Sequence, residues 1–382
     1  MPYSGKFDGN IDIQRICSLL SVSYSKPIIA GKTLLFFDEI QACPNAINAL
    51  RYFYEDFPEL HLIAAGSLLE FALAELPSFG VGRIQSLFMY PLSFNEFVGA
   101  LKNPFVLDYL QKHTTFEPIE PAVHSILVDY WRTFMLIGGM PETVSKWVAE
   151  KDYILCQQVN DNILTAYTDD FSKYKHRVSP VLLQKTLQSV ALQSGSKFMY
   201  NRVVDGIDSY KVREALELLM MAGLIIPVTH SAGNGVPLGA ETNEKFHKYL
   251  FLDNGLMLVA LHANLAEFVL SDNTQIVCKG ALAEVIAGLE IIKYMSPTSK
   301  HSLFYWQNFS KGTQSEVDYL IERNGQVIPI EVKAGTRGSM KSMYYFLQIK
   351  NLPYGIRTSL ENFGELERVK ILPLYALQKM LG

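Results

Sequence analysis

Asn324-Gly325 stands between two runs of strand-forming residues, Glu316 to Glu322 and Gln326 to Lys333. Asn-Gly is the strongest short hairpin signal, because a two-residue type I′ turn needs φ > 0 at both central positions. Such a turn leaves no freedom in the pairing. Arg323 lies opposite Gln326, and counting back places Asp318 opposite Glu331 and Glu316 opposite Lys333. Directly opposed residues share a face with Cβ atoms ~4.5–5.5 Å apart, and alternate residues of one strand share it too. Asp318, Glu331 and Lys333 are therefore expected on one patch. Ile328, Ile330 and Val332 take the other face, Pro329 interrupts the patch side, and Gly335 follows where a ligand needs close approach. A cross-strand salt bridge facing solvent is the plainer account of the same residues. Leu303 to Trp306 reads as a further strand, and Ala281 to Tyr294 as an apolar helix carrying Glu284.

The chain has 382 residues, and at ~100–200 residues per domain that length implies two to four domains. Hydrophobic residues make up 49% and aromatics 12%, enough for several cores and too many for a disordered chain. Lys and Arg number 34 against 38 Asp and Glu, which excludes a histone-like basic protein. No apolar run reaches the ~20 residues of a membrane span, and Met1-Pro-Tyr-Ser-Gly shows no signal peptide, so a cytoplasmic protein is expected. Cys17, Cys43, Cys156 and Cys278 form no C-x-x-C pair, so reduced thiols are expected rather than a zinc site or disulfides.

Leu34-Leu-Phe-Phe-Asp-Glu39 reads as four strand residues buried on both faces, followed by two acids at the strand's C-terminal end. Carboxylates there project into the crevice where α/β sheets bind ligands. This is the shape of a Walker B element, in which Asp38 helps to hold Mg²⁺ and Glu39 polarises the water that attacks a γ-phosphate. Two solvated acids at a strand end are the alternative. A helix opened by Pro44 follows, with Ala46, Leu50, Phe53 and Tyr54 on one face, then a second buried strand, Leu60 to Ala65. Ser67, just beyond it, stands where a residue contacting the γ-phosphate is expected.

The phrases LLFFDEIQACP, LIAAGSLL, VGRIQSLFMYPLSFNEF, IGGMPETV, KYLFLDNGL, SEVDYL and IPIEVKAG occur in an order that resembles the bacterial and archaeal AAA+ ATPases with a C-terminal domain of unknown function. The resemblance implies a P-loop parallel α/β sheet, a helical lid, ATP with Mg²⁺, and a phosphate-facing role for Arg83. It also implies a phosphate loop, G-x-x-x-x-G-K-[ST], ahead of the Walker B strand. Gly31-Lys32-Thr33 does not supply it: Lys26 stands where the first glycine belongs, and a strand rather than a helix follows. Residues 1–33 are thus expected to match the family after its first strand–loop–helix, a truncated nucleotide fold without ATP turnover. The resemblance also implies an oligomer, since such relatives often form rings, an implication that a truncated nucleotide fold weakens.

Four regions are expected: 1–100 a partial nucleotide-binding domain, 101–178 a helical lid, 179–265 a winged helix, and 266–382 the C-terminal α/β domain. In the lid region Ile126, Tyr130 and Phe134 mark a helical face, and Asp169-Asp170 reads as a solvated helix end. In the third region helices Leu182 to Gln193 and Lys211 to Met221, the latter capped by Ser209, precede a hairpin, Leu224 to His230 and Lys248 to Leu252. Its basic patch (Lys197, Arg202, Lys211, Arg213) is thin, favouring a structural or protein-binding module over a DNA reader. The last region resembles the PD-(D/E)XK nuclease superfamily. That resemblance implies Mg²⁺ or Mn²⁺ on Asp318 and Glu331, Lys333 positioning water or steadying the phosphate, and Glu284 completing the metal shell. Val317 stands where that motif has its proline. A DNA-cutting enzyme independent of ATP and a non-catalytic scaffold are the competing readings.

Overall fold

The computed structural model describes residues 4–7, 11–66, 82–265, 279–300, 302–309, 315–335 and 338–380. The chain divides into two units, Met1–Leu87 and Phe88–Gly382.

In the first unit α1 (Ile13–Tyr24) starts at Asp12, whose carboxylate accepts the Arg15 N–H. Strand β1 (Leu34–Phe37), α2 (Pro44–Asp56) and β2 (His61–Ala64) follow, and β1 and β2 pair in parallel from Leu34↔His61 to Phe37↔Ala64. A parallel pair joined through a helix is the βα unit that the apolar–acidic pattern implied. Its burial differs from expectation. Phe37 is buried with Ile16, Ile40, Ala46, Leu50 and Phe53, whereas Leu34 and Phe36 are more than half exposed. Among the described residues of this unit, helices cover one face of this pair. Tyr54 also points outward, and Ile47 and Ala49 complete the buried stripe of α2.

The second unit opens with α3 (Phe94–Ala100), closed by a capping box between Ser93 and Glu96. Helices α4 (Pro104–Lys112), α5 (Pro121–Ile137), α6 (Pro141–Glu150), α7 (Tyr153–Asp170), α8 (Pro180–Gln193) and α9 (Ser209–Met221) follow. On α5 the buried stripe is Leu127, Val128, Trp131, Phe134 and Ile137, while Ile126 is 41% exposed, so the core face is rotated from the expected one. Asp208, not Ser209, caps α9 by accepting the Tyr210 N–H.

Strands β3 (Ile225–Ser231) and β4 (Thr242–Phe251) form the hairpin expected in the third region. They do not stand apart: β3 pairs with β5 (Leu303–Gln307), and among the described residues the sheet has eight strands in the order β4, β3, β5, β6 (Glu316–Arg323), β7 (Gln326–Val332), β8 (Gly355–Ser359), β10 (Val369–Pro373) and β9 (Gly364–Leu366). Helices α10 (Asn254–Ala260) and α11 (Lys279–Lys293) separate β4 from β5 in sequence. Strands β6 (Glu316–Arg323) and β7 (Gln326–Val332) make the Asn-Gly hairpin. Asn324 and Gly325 have φ of 50° and 73°, and the ladder runs from Arg323↔Gln326 to Tyr319↔Ile330, the register the turn dictates. Helix α12 (Lys341–Ile349) precedes β8 (Gly355–Ser359), β9 (Gly364–Leu366) and β10 (Val369–Pro373). From Val327 to Val332 every residue of β7 is buried, so the strand is central and covered on both faces.

Two of the sequence phrases meet in one polar joint. Asp253 is fully buried, caps α10 through the Gly255 and Leu256 amides, and accepts the Gly139 amide at 2.7 Å. Asn254 donates to the Phe134 and Met135 carbonyls, and Asn160 to the Ile137 carbonyl, so the open end of α5 is satisfied by side chains. Among the described residues no helix is long and apolar enough to cross a membrane. Cys17, Cys43 and Cys156 are buried free thiols, and Cys278 lies outside the described residues.

Candidate metal centre and nucleotide-facing strand ends

In the first unit Asp38 and Glu39 follow β1 directly and are exposed. Glu39 adopts φ 52°, its N–H donates to Asp38 Oδ1 at 3.0 Å, and its Oε2 accepts from Gln41 Nε2 at 2.5 Å. The Gln41 side chain lies so close to Gly66, at the end of β2, that a Cβ there would fall 1.9 Å from Gln41 Oε1. Gln41 therefore ties the second acid down from two residues along the chain, with its side chain packed against the end of β2, a role no motif marked. Arg83 pairs with Glu55 at 2.6 Å. Ser67 lies outside the described residues. Gly31-Lys32-Thr33 forms the turn into β1: the Thr33 N–H donates to the Ile29 carbonyl and the Thr33 hydroxyl accepts the Ile29 N–H.

The second unit gathers charge where β4, α11, β6 and β7 come together. Carboxylate oxygens of Glu284, Glu316 and Asp318 lie within 4.8 Å of one another. Lys248 of β4, 1% exposed, donates to Glu284 at 2.7 Å and also to Glu316. Its ammonium sits 5.0 Å from the Tyr305 ring centre. Asp318 Oδ2 accepts the Val332 N–H at 2.7 Å, which draws this carboxylate onto the edge of β7. Glu331 Oε1 accepts from Lys333 Nζ at 2.6 Å, while Glu331 Oε2 is buried and has no hydrogen-bond partner. Tyr319 donates its hydroxyl to the Glu284 carbonyl, tying α11 to β6.

The sequence-derived residues are thus divided between two adjoining groups. Glu284 and Asp318 lie together with Glu316, and Glu331 and Lys333 form a pair beside them. Lys248 and Glu316 were missed. Glu316 was in the register count, assigned opposite Lys333, but Lys248 lies 36 residues before its partner Glu284 with no spacing rule to link them. A shift in the β5–β6 ladder between Phe304 and Trp306 also changes how the start of β6 presents its side chains.

Burial sets the electrostatics. It pushes the Glu284 carboxyl up to about 8 against the pull of Lys248. Burial, then the Asp318 charge, pushes Glu331 up to about 7 while Lys333 draws it down, and burial raises Asp318 too. Burial would lower Lys248, but Glu284, Glu316 and Asp318 hold it well above the ordinary lysine value. The cluster opens at Glu316 and Lys333, whose side chains are 32% and 23% exposed.

Comparison with known proteins divides the chain in three. Residues 8–98 match the family model of an AAA domain. Residues 128–267 and 279–377 match two domains of unknown function, DUF8612 and DUF4143 respectively. Among solved structures the Walker-type ATPase PABY2304 of Pyrococcus abyssi is similar, at 16% identity and a TM-score of 0.42, over 66% of this chain and 68% of that one. No curated protein matches the chain. Both charged groups of the metal-centre region, apart from Lys248, fall in the 279–377 match, and Asp38 and Glu39 fall in the AAA match.

Proposed function

We propose that this chain is an AAA ATPase-family protein whose second unit carries a nuclease-like centre of the PD-(D/E)XK kind for phosphodiester hydrolysis. One observation supports this best: Glu331 Oε2 is buried and unpartnered beside a carboxylate trio. An orphaned buried carboxylate oxygen is costly unless a cation or water satisfies it. Hard carboxylate oxygens are the donor set that Mg²⁺ and Mn²⁺ take, so the residues fit a divalent cation. Asp318, Glu331 and Glu284 would hold it. When bound, it would polarise a phosphodiester and favour ionisation of a water. Lys333, held by Glu331 and partly exposed, is placed to orient that water or meet the charge growing on the phosphate. Nucleic acid is the substrate this reading implies, with α8 and α9 as its winged-helix-like part and the β3–β4 hairpin built into the sheet.

Incubating the chain with plasmid and Mn²⁺ or Mg²⁺ tests the centre. Cation-dependent cutting is expected, with loss of activity in Asp318→Ala. Equal cutting by both chains, or none by the wild type with either ion, overturns the proposal.

The strand ends of the first unit support a nucleotide-facing Asp38 and Glu39, with ATP and Mg²⁺ as the family's ligands. In this 382-residue chain Gly31-Lys32-Thr33 leads into a strand, so no helix N-terminus there turns its amides toward phosphates. The Thr33 hydroxyl is already bonded within its own turn. No measurable ATP turnover is therefore expected from the purified 382-residue chain in a phosphate-release assay. Robust Mg²⁺-dependent turnover that disappears in Glu39→Gln is the result that contradicts it.

A further inference from the structure

The geometry points to Lys248 as a built-in cation: its ammonium occupies one cation position of the carboxylate cluster and limits that cluster to a single divalent ion. This deepens the cation-site reading above, and its test reads the two separately.

The charge count comes first. Glu284, Glu316, Asp318 and Glu331 are four carboxylates, and Lys248 and Lys333 are two ammonium groups, which leaves two formal negative charges. One divalent cation neutralises that remainder and two would exceed it. The two lysines are placed differently. Lys333 bonds to Glu331 from the partly open side, whereas Lys248 is 1% exposed and bridges Glu284 and Glu316. A bridging cation between carboxylates of two elements is what a second metal ion would be in such a cluster. The lysine does it with donors at hydrogen-bond distance, and it is covalently tethered, so it cannot be lost to chelation. Asp318 and Glu331, whose Oε2 is unpartnered, remain for the exchangeable ion together with the second oxygen of Glu284, since Lys248 bonds only Oε1.

The origin of the lysine adds a second element. Lys248 lies in the stretch that matches one domain of unknown function, and the carboxylates lie in the stretch that matches the other. The β3–β4 hairpin is thus part of the site, and it brings the ammonium that reduces the cluster's excess to the two negative charges one divalent ion can neutralise. Lys248 is a positioning residue: it acts on the cation site through Glu284 and Glu316.

The test counts Mn²⁺ bound per chain by the full-length protein, stripped with chelator and then titrated, with free Mn²⁺ read by electron paramagnetic resonance. The wild type is expected to bind about one ion, Lys248→Met about two, and Lys248→Arg, which keeps the charge, about one. Melting curves with and without Mn²⁺ accompany the count, because removing the ammonium leaves buried carboxylates uncompensated. Lys248→Met is expected to melt lower than wild type without metal and to recover more than wild type gains when Mn²⁺ is added. Equal counts in wild type and a folded Lys248→Met overturn the inference, as does a Lys248→Met chain that stays unfolded in Mn²⁺. A wild type that binds no ion overturns the cation-centre proposal instead. If Lys248→Met then binds one, the role of Lys248 stands on its own.

Discussion

Asp253→Ala is expected to destabilise the second unit by about 3–5 kcal/mol, lowering its melting midpoint by roughly 10 °C. Asp253 is fully buried and accepts three amides, those of Gly139, Gly255 and Leu256. Burial raises its pKa, and Lys293 and those three amides oppose the rise. Alanine removes the cap of α10, worth ~0.5–2 kcal/mol on its own, and leaves three donors without acceptors in a space closed to water. The joint cannot relax around the loss, because its backbone is already in close contact. A Cβ at Gly138, where φ is 79°, would fall 2.1 Å from Asp253 Oδ1, and one at Gly255 would fall 2.3 Å from the Ile137 carbonyl oxygen. Gly138→Ala is therefore expected to damage the same joint from the other side. Asp253→Asn keeps the volume and one acceptor oxygen, so its loss should be smaller than that of alanine. Thermal and urea denaturation of the three variants checks the order. A midpoint for Asp253→Ala within about 2 °C of wild type would show that the joint does not carry the unit's stability.

That joint also shows which parts of the protein could be read in advance. IGGMPETV and KYLFLDNGL stood out as phrases, yet nothing in either one says that Gly139 and Asp253 meet across 114 residues. Contacts at short range were legible. Asn324-Gly325 gave the β6–β7 register because a two-residue turn and the period of a strand determine every pair that follows. The β1–β2 pairing was legible as well, since an apolar run, a helix and a second apolar run admit a parallel crossover. What escaped depended on third parties. Whether Leu34 and Phe36 are covered is decided by which helices pack on the sheet, and the four apolar residues alone do not record it. The same holds at the candidate centre. Asp318, Glu331 and Lys333 could be placed from the turn, but Lys248 reaches the cluster from the strand at one end of the sheet. Its only signal was a lysine at the head of the apolar run Tyr249 to Leu252, a position where burial demands a partner.

In metal-free buffer Glu284 and Glu331 are expected to cost the second unit a few kcal/mol of stability as pH rises from about 5 to about 8, against an opposite contribution from His124, His230 and His247, which burial holds below the ordinary histidine value. The sign follows from the direction of the shifts. Glu284 and Glu331 are pushed up to about 8 and about 7 by burial, so the folded chain holds protons that the unfolded chain has already released. Stability from that difference is complete below the ordinary glutamate range and disappears as pH passes through the folded values. Most surface carboxylates would give the opposite slope, because pairing depresses their pKa and acid removes their contribution. The two behaviours separate by mutation: Glu284→Gln and Glu331→Gln each remove a titrating group and are expected to flatten the slope, whereas Glu117→Gln at an exposed position leaves it unchanged. Mn²⁺ provides the second separation. A divalent cation bound by the carboxylates replaces the protons, so saturating Mn²⁺ should raise the midpoint most at the alkaline end and little at the acid end. Melting curves at several pH values, with chelator and with Mn²⁺, measure both effects. A slope that Glu284→Gln and Glu331→Gln leave unchanged between about pH 5 and about pH 8 without metal would mean that these carboxylates are ionised and satisfied in the folded chain. The orphaned Glu331 Oε2 would then no longer argue for a cation.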